Sequence, residues 1–171
     1  MWSSTLFVFH SDNGGEIMGA GICGGNNWPL TGGKFSNWEG GVRVNALVSG
    51  GLLPPHVRGT KVDTLCHIAD WYATFAALAK VDGKSDPEAK AAGLPPIDSQ
   101  NLVPAIFPAA HADRADLDGG VDEVGGTRAS QLGRDEVHLS KWAFIKRGDG
   151  GALHKLVTGW QLDTGWTGPT Y

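Results

Sequence analysis

The chain predicts an α/β domain, and three observations carry that prediction. Leu6 to Phe9 is a continuous apolar run of branched and aromatic residues, the pattern of a parallel strand covered on both faces. Val42 to Val48, with Val, Ala, Leu and Val around Asn45, reads as a second strand. Asp63 to Lys80 repeats apolar residues at helical spacing through Leu65, Ile68, Tyr72, Phe75 and Ala79, the signature of an amphipathic helix that covers a sheet face.

The remaining elements follow in order. Gly50-Gly51 and Pro54-Pro55 close the second strand with loop chemistry. Asp63 stands at the N-cap of the helix and Gly83 beyond its C-terminal end. His67 lies off the apolar stripe and reads as a structural or surface histidine. Asp82 to Pro96 is charged and then proline-rich, a loop. Asn101 to Phe107 is a short apolar helix, and Ala109 to Arg128, rich in Ala, Asp and Gly without a period, is a mobile insertion. Val137 to Lys146 and Leu153 to Val157 read as strands joined by the Gly148-Asp149-Gly150-Gly151 turn. The expected organisation is therefore residues 1–107, an insertion over 108–134, and a small antiparallel unit over 135–171.

Composition excludes several classes. Hydrophobic residues make up 41% and charged residues 19%, which suits a globular chain and not a disordered one. A formal net charge of −4 with no Lys/Arg cluster argues against a nucleic-acid partner. No apolar run approaches the length of a membrane span. Cys23 and Cys66 allow one disulfide at most, and nothing in their spacing favours it, so both read as free, buried thiols.

The chemistry concentrates after the first strand, in Ser11-Asp12-Asn13-Gly14-Gly15. Ligands collect beyond the carboxyl ends of strands in open α/β sheets. Asp12 offers a carboxylate and Asn13 an amide carbonyl, hard oxygen donors that suit calcium or magnesium. Asn13-Gly14 is also a strong type I′ hairpin signal, and on this stretch alone the two readings stay level. Lys34, taken by itself, is a solvated loop lysine. Gly19-Ala20-Gly21-Ile22-Cys23-Gly24 matches a dinucleotide fingerprint, but Glu16-Ile17-Met18 before it and Gly25 to Pro29 after it deny it the strand and helix it requires.

The segments Asn26-Asn27-Trp28-Pro29-Leu30-Thr31-Gly32-Gly33-Lys34 and Trp38-Glu39-Gly40-Gly41-Val42-Arg43 follow the Asp12-Asn13 turn. With His67 to Thr74, Leu94 to Asp98, Lys155 to Gly159 and Gly165 to Pro169, they make the chain resemble the sulfatase family, its arylsulfatase B-like branch above all. The resemblance covers most of the chain apart from about Pro108 to Gly133. It implies an alkaline-phosphatase-like α/β domain followed by the start of a small antiparallel C-terminal subdomain. It implies that Asp12 and Asn13 ligate a divalent cation, calcium or alternatively magnesium, and that Lys34 contacts the sulfate of a small sulfate ester or sulfated glycan. An ammonium aimed at the oxygens of a breaking S–O bond stabilises the charge that gathers there. One unit-charge pair at about 4 Å in an effective dielectric near 20 is worth roughly 4 kcal/mol. Glu39 reads equally as a partner of Lys34 or a nearby amide, and as a solvated loop glutamate.

The family's nucleophile is a formylglycine made in a C/S-x-P-x-R motif, and neither Cys23 nor Cys66 is followed by Pro-x-Arg. The resemblance therefore implies an incomplete chain that lacks the N-terminal part of the catalytic domain and is inactive alone. A related phosphoester hydrolase and a non-catalytic remnant are the rival readings. Sulfatases are often secreted, lysosomal or periplasmic, and nothing in the chain chooses among these.

Overall fold

Elements of the chain group around two separate sets of contacts in a computed structural model, which describes residues 1–17, 23–108, 133–159 and 161. One unit comprises Met1–Leu52, His138–Lys146 and Leu153 onward; the other comprises Leu53–Val137 and Arg147–Ala152. The expected insertion over 109–128 and the Gly165 to Pro169 segment lie outside the described residues, as does most of the fingerprint-like glycine run.

In the first unit, β1 (Phe7–His10) pairs with β2 (Ala46–Ser49). The pairing is antiparallel, with Phe7 opposite Ser49 and His10 opposite Ala46. This corrects two expectations. The strand is not parallel, and it is not covered on both faces: Phe7, Phe9 and Leu47 are each about half exposed, at 51%, 54% and 50%. Successive side chains of a strand alternate faces, so Val8 and His10 take the more covered side while both phenylalanines share the open one. Nor is Asn13-Gly14 a hairpin, because the partner of β1 lies more than thirty residues on. A short helical turn, α1 (Glu39–Val42), precedes β2 and takes up the first residue of the expected second strand. The antiparallel sheet β3 (Glu136–Ser140), β4 (Ala143–Arg147) and β5 (Leu153–Val157) runs in sequence order. Where the sequence predicts one strand over 137–146 there are two, because the Ser140 hydroxyl accepts from the Trp142 amide at 3.0 Å and turns the chain there.

The second unit is helical, with α2 (Asp70–Leu78), α3 (Pro87–Ala91) and α4 (Val103–Ile106). Helix α2 begins seven residues later than its periodicity suggests, and Asp63 is no cap; it pairs with Lys61 at 3.9 Å on the surface. The start is set by Asp70 itself, whose carboxylate accepts from the His67 amide at 2.7 Å. The stripe expected to be buried is in fact the outer one, since Ile68, Tyr72 and Phe75 are exposed. Asp70, Ala73, Thr74 and Ala76 face inward instead. Polar contacts explain the reversal: the Thr74 hydroxyl donates to the Asp70 carbonyl and accepts from the Leu102 amide, and the Ala73 amide donates to Ser99 Oγ. The helix ends with Lys80 at φ 58° and with Val81 N–H bonded to the Ala76 carbonyl, a Schellman stop. Helix α3 breaks the expected loop because Asp86 caps the Ala89 amide and Pro87 sits at the first helical position.

Asp70 has no exposed surface and Arg134 only 7%. The guanidinium reaches the carboxylate at 2.7 Å through Nη2 and at 2.9 Å through Nε, and Nη2 also donates to the Asp98 carbonyl. The Gln100 amide completes the carboxylate's shell at 2.8 Å. A buried charge is tolerated when each lone pair finds a donor. Asp70→Ala removes the buried partner of Arg134, leaving only the exposed Asp98 carboxylate at 3.5 Å, and is expected to destabilise this unit by about 3 kcal/mol, the low end for a broken buried pair. Chemical denaturation of the purified variant checks this, and a loss within the range of an ordinary surface substitution contradicts it.

Candidate functional site

In the first unit the backbone at Lys34 is hydrogen-bonded to Gly15, two residues after Asn13. Strand β1 delivers the chain to Asp12, which is exposed, and Asn13, which is half-buried. The Ser11 hydroxyl closes the turn by donating to the Asn13 carbonyl at 2.8 Å. Two residues on, the Gly15 carbonyl accepts from the Lys34 amide at 3.1 Å and from Asn27 Nδ2 at 2.8 Å. Asn27 Oδ1 accepts in turn from the Gly15 amide, and its Nδ2 also reaches the Gly32 carbonyl at 3.1 Å. One side-chain amide thus pairs with Gly15 as a neighbouring strand would, and ties both ends of the 27–34 loop to the Asp12-Asn13 turn. The backbone brings Lys34 alongside that turn.

The Trp38-Glu39-Gly40-Gly41 segment packs against the same turn through bare backbone. The Gly14 amide donates to the Gly41 carbonyl at 2.9 Å, and a Cβ on Gly14 would lie 1.7 Å from the Gly40 carbonyl oxygen. Only glycine permits that approach. Among the described residues Glu39 partners neither Lys34 nor a loop amide; its carboxylate receives Lys155 at 2.6 Å and Arg43 at 3.9 Å. Gln161 Oε1 accepts from both the backbone amide and the side chain of Asn37. Lys155 and Gln161 therefore hold the segment that follows Lys34. Neither pairing has a signal in the local sequence, although Lys155 opens one of the segments that carry the resemblance, because each joins positions more than a hundred residues apart.

The donors available for ligands are few. Among the described residues no hydrogen bond or ion pair engages the Asp12 carboxylate, and no carboxylate pairs with the Lys34 ammonium, which sits 5.2 Å from the centre of the Phe35 ring. No group of three or more His, Cys, Asp or Glu side chains among the described residues is placed to hold a metal ion. Asp12 and Asn13 fit calcium in kind, as hard oxygen donors. They fall short in number, since calcium takes six to eight oxygens. Cys23 and Cys66 are both free, the first half-buried and the second exposed, so neither is the buried thiol expected.

Partial burial raises the Cys23 thiol above the usual range, and the hydrogen bond and negative charge of Glu16 add to the rise; Lys34 pulls in the opposite direction. A raised pKa means less thiolate at any given pH. Alkylation of Cys23 by iodoacetamide at about pH 8, near the ordinary thiol range, is expected to run slower than in the unfolded chain and to accelerate as pH climbs. Glu16→Gln is expected to speed it and Lys34→Met to slow it. Peptide mass mapping over a pH series reads each rate, and equal rates across the variants contradict the assignment.

The protein-family model described as Sulfatase matches residues 1–81. Arylsulfatase J of Mus musculus is 32% identical over 123 residues, which is 72% of this chain and 18% of that protein. N-acetylgalactosamine-6-sulfatase of Homo sapiens is 33% identical over 140 residues, 81% of this chain and 24% of that protein. Steryl-sulfatase of Homo sapiens is 37% identical over 110 residues, 61% of this chain and 17% of that protein. The chain thus spans about a fifth of the length of these curated relatives. The Sulfatase family model thus matches the stretch that contains Asp12, Asn13, the Asn27 bridge, Lys34 and α2.

Proposed function

We propose that this chain carries the cation- and sulfate-holding portion of a sulfate-ester hydrolase. In this reading residues 1–107 contribute to the catalytic domain and residues 135–171 to a small antiparallel subdomain. Asp12 and Asn13 are two ligands of a hard divalent cation, calcium or alternatively magnesium, which supplies Lewis-acid polarisation of the sulfate oxygens when bound. Lys34 holds the sulfate itself. The observation that carries the reading is the Gly15 carbonyl, which receives the Lys34 amide two residues after Asn13. The family match across these same residues supports it.

Hydrolysis breaks the ester S–O bond, leaving the alcohol with a proton and the sulfur with the incoming oxygen. Negative charge gathers on the departing oxygen. An ammonium without a carboxylate partner among the described residues is suited to stabilise that charge, provided its attraction strengthens in the transition state. The 27–34 loop holds the Lys34 backbone in place beforehand, so little reorganisation is needed. The names of the relatives speak of aryl, steryl and N-acetylgalactosamine-6 sulfatases, which supports a small sulfate ester or a sulfated glycan as substrate. No helix among the described residues is long and apolar enough to cross a membrane.

A formylglycine nucleophile belongs to this reading only from outside the 171 residues, which contain no C/S-x-P-x-R motif. That same observation favours a second reading, in which the chain binds without turnover. The two agree on what this chain does alone. It is expected to bind inorganic sulfate weakly, with Lys34→Met lowering affinity about tenfold, as befits loss of one charge-assisted contact. It is also expected to release no detectable alcohol from an aryl sulfate. NMR titration of the labelled chain and a chromogenic assay check these outcomes. Sulfate binding untouched by Lys34→Met overturns the site, and turnover by the pure chain overturns the account of the nucleophile.

A further inference from the structure

Phe35 is held in a conformation that folding does not explain. Its φ is 74°, one of two positive values on non-glycine residues among those described, the other being Lys80. The Lys80 value belongs to the Schellman end of α2. Phe35 stands at the third position of a turn closed by the Ser36 amide on the Gly33 carbonyl at 3.1 Å. With Lys34 in the ordinary negative region, this is a type II turn, whose third position calls for glycine. A bulky side chain in the left-handed region is strained.

Burial does not offset that strain. Phe35 is 62% exposed, and its one ring contact among the described residues is the Lys34 ammonium at 5.2 Å. The adjacent Ser36 is buried and donates to the Gly33 carbonyl, so the turn itself is firmly anchored. A strained aromatic ring with an open face thus lies next to the cation proposed to grip sulfate.

We propose that Phe35 is a specificity-determining residue whose exposed ring packs against a ring in the alcohol part of the sulfate ester while Lys34 holds the sulfate. The proposal rests on the reading of Lys34 as a sulfate ligand. Offset or edge-to-face packing of two rings adds attraction that an alkyl group cannot match. The strained turn fixes the ring before the ligand arrives, which spares the cost of ordering it on binding.

The test compares phenyl sulfate, methyl sulfate and inorganic sulfate, titrated by NMR into the purified full chain and its variants. The unaltered chain is expected to prefer phenyl over methyl sulfate by about fivefold to tenfold, the worth of one aromatic pair. Phe35→Gly is expected to bring that ratio close to one while raising the thermal midpoint, since glycine relieves the turn. Phe35→Tyr is expected to keep the ratio. A ring that only shields Lys34 would change all three ligands in proportion, so an unchanged ratio in Phe35→Gly overturns the proposal. If inorganic sulfate does not bind the unaltered chain, the reading of Lys34 fails and this assignment fails with it. If sulfate binds and the ratio ignores Phe35, only the ring assignment falls.

Discussion

The carbonyl of Gly15 is the point on which the candidate site depends. It accepts the Lys34 amide and the Asn27 side chain together, and Asn27 answers by accepting from the Gly15 amide. These hydrogen bonds register a loop of glycine, proline and tryptophan against a strand end. Without them the loop would have no regular structure to say where Lys34 belongs. The neighbouring Gly14 and Gly40 remove the side chains that would otherwise keep α1 away, since a Cβ on Gly40 would lie 2.1 Å from the Gly32 carbonyl. The site is therefore built by backbone contact and the Asn27 side chain, and among the described residues no hydrogen bond or ion pair engages the Asp12 carboxylate.

The second unit solves a different problem. Beside buried apolar residues such as Leu53, Val57, Leu102 and Ala105, its interior holds a carboxylate and a guanidinium surrounded by amides. Asp70 starts α2 and also anchors the chain at Gln100 and Arg134, so one side chain joins segments far apart in sequence. Such a pair contributes registry more than net stability, because desolvation offsets much of its attraction. Its geometry does not suit catalysis, because Asp70 has no surface open to a ligand and each of its oxygens is already engaged. Asp70 and Glu39, engaged by Arg134 and by Lys155, are best understood as structural, while among the described residues no hydrogen bond or ion pair engages the exposed Asp12 carboxylate.

Much of the element order is legible in the sequence, and the failures have physical causes. The α/β class, the β1 run, the short helix before Phe107 and the Gly148–Gly151 turn all follow from apolar period and turn chemistry. Periodicity locates helix α2 but turns it inside out, because the apolar stripe through Ile68, Tyr72 and Phe75 is louder than the hydrogen bonds of Asp70 and Thr74 that decide which face turns inward. The direction of β1 is not legible, because an apolar run carries no information on whether its neighbour runs parallel. Asp12, Asn13 and Lys34 stand out by residue type and motif. The Asn27 bridge, the Lys155 and Gln161 clamps on the Trp38-Glu39 segment, and the strain at Phe35 do not, since each depends on contacts or dihedrals that a linear pattern does not encode.

The central claim is that the Asp12-Asn13 pair and the Lys34 side chain face one volume, held there by the Gly15 carbonyl. Paramagnetic broadening by Mn²⁺, a hard cation suited to weak oxygen sites, tests it most directly on isotopically labelled protein. The account predicts that signals of Asp12, Asn13 and the Lys34 side-chain methylenes nearest its nitrogen fade together at low Mn²⁺, and that Asp12→Asn protects all of them. Broadening at Asp12 and Asn13 that leaves the end of the Lys34 side chain sharp would contradict it.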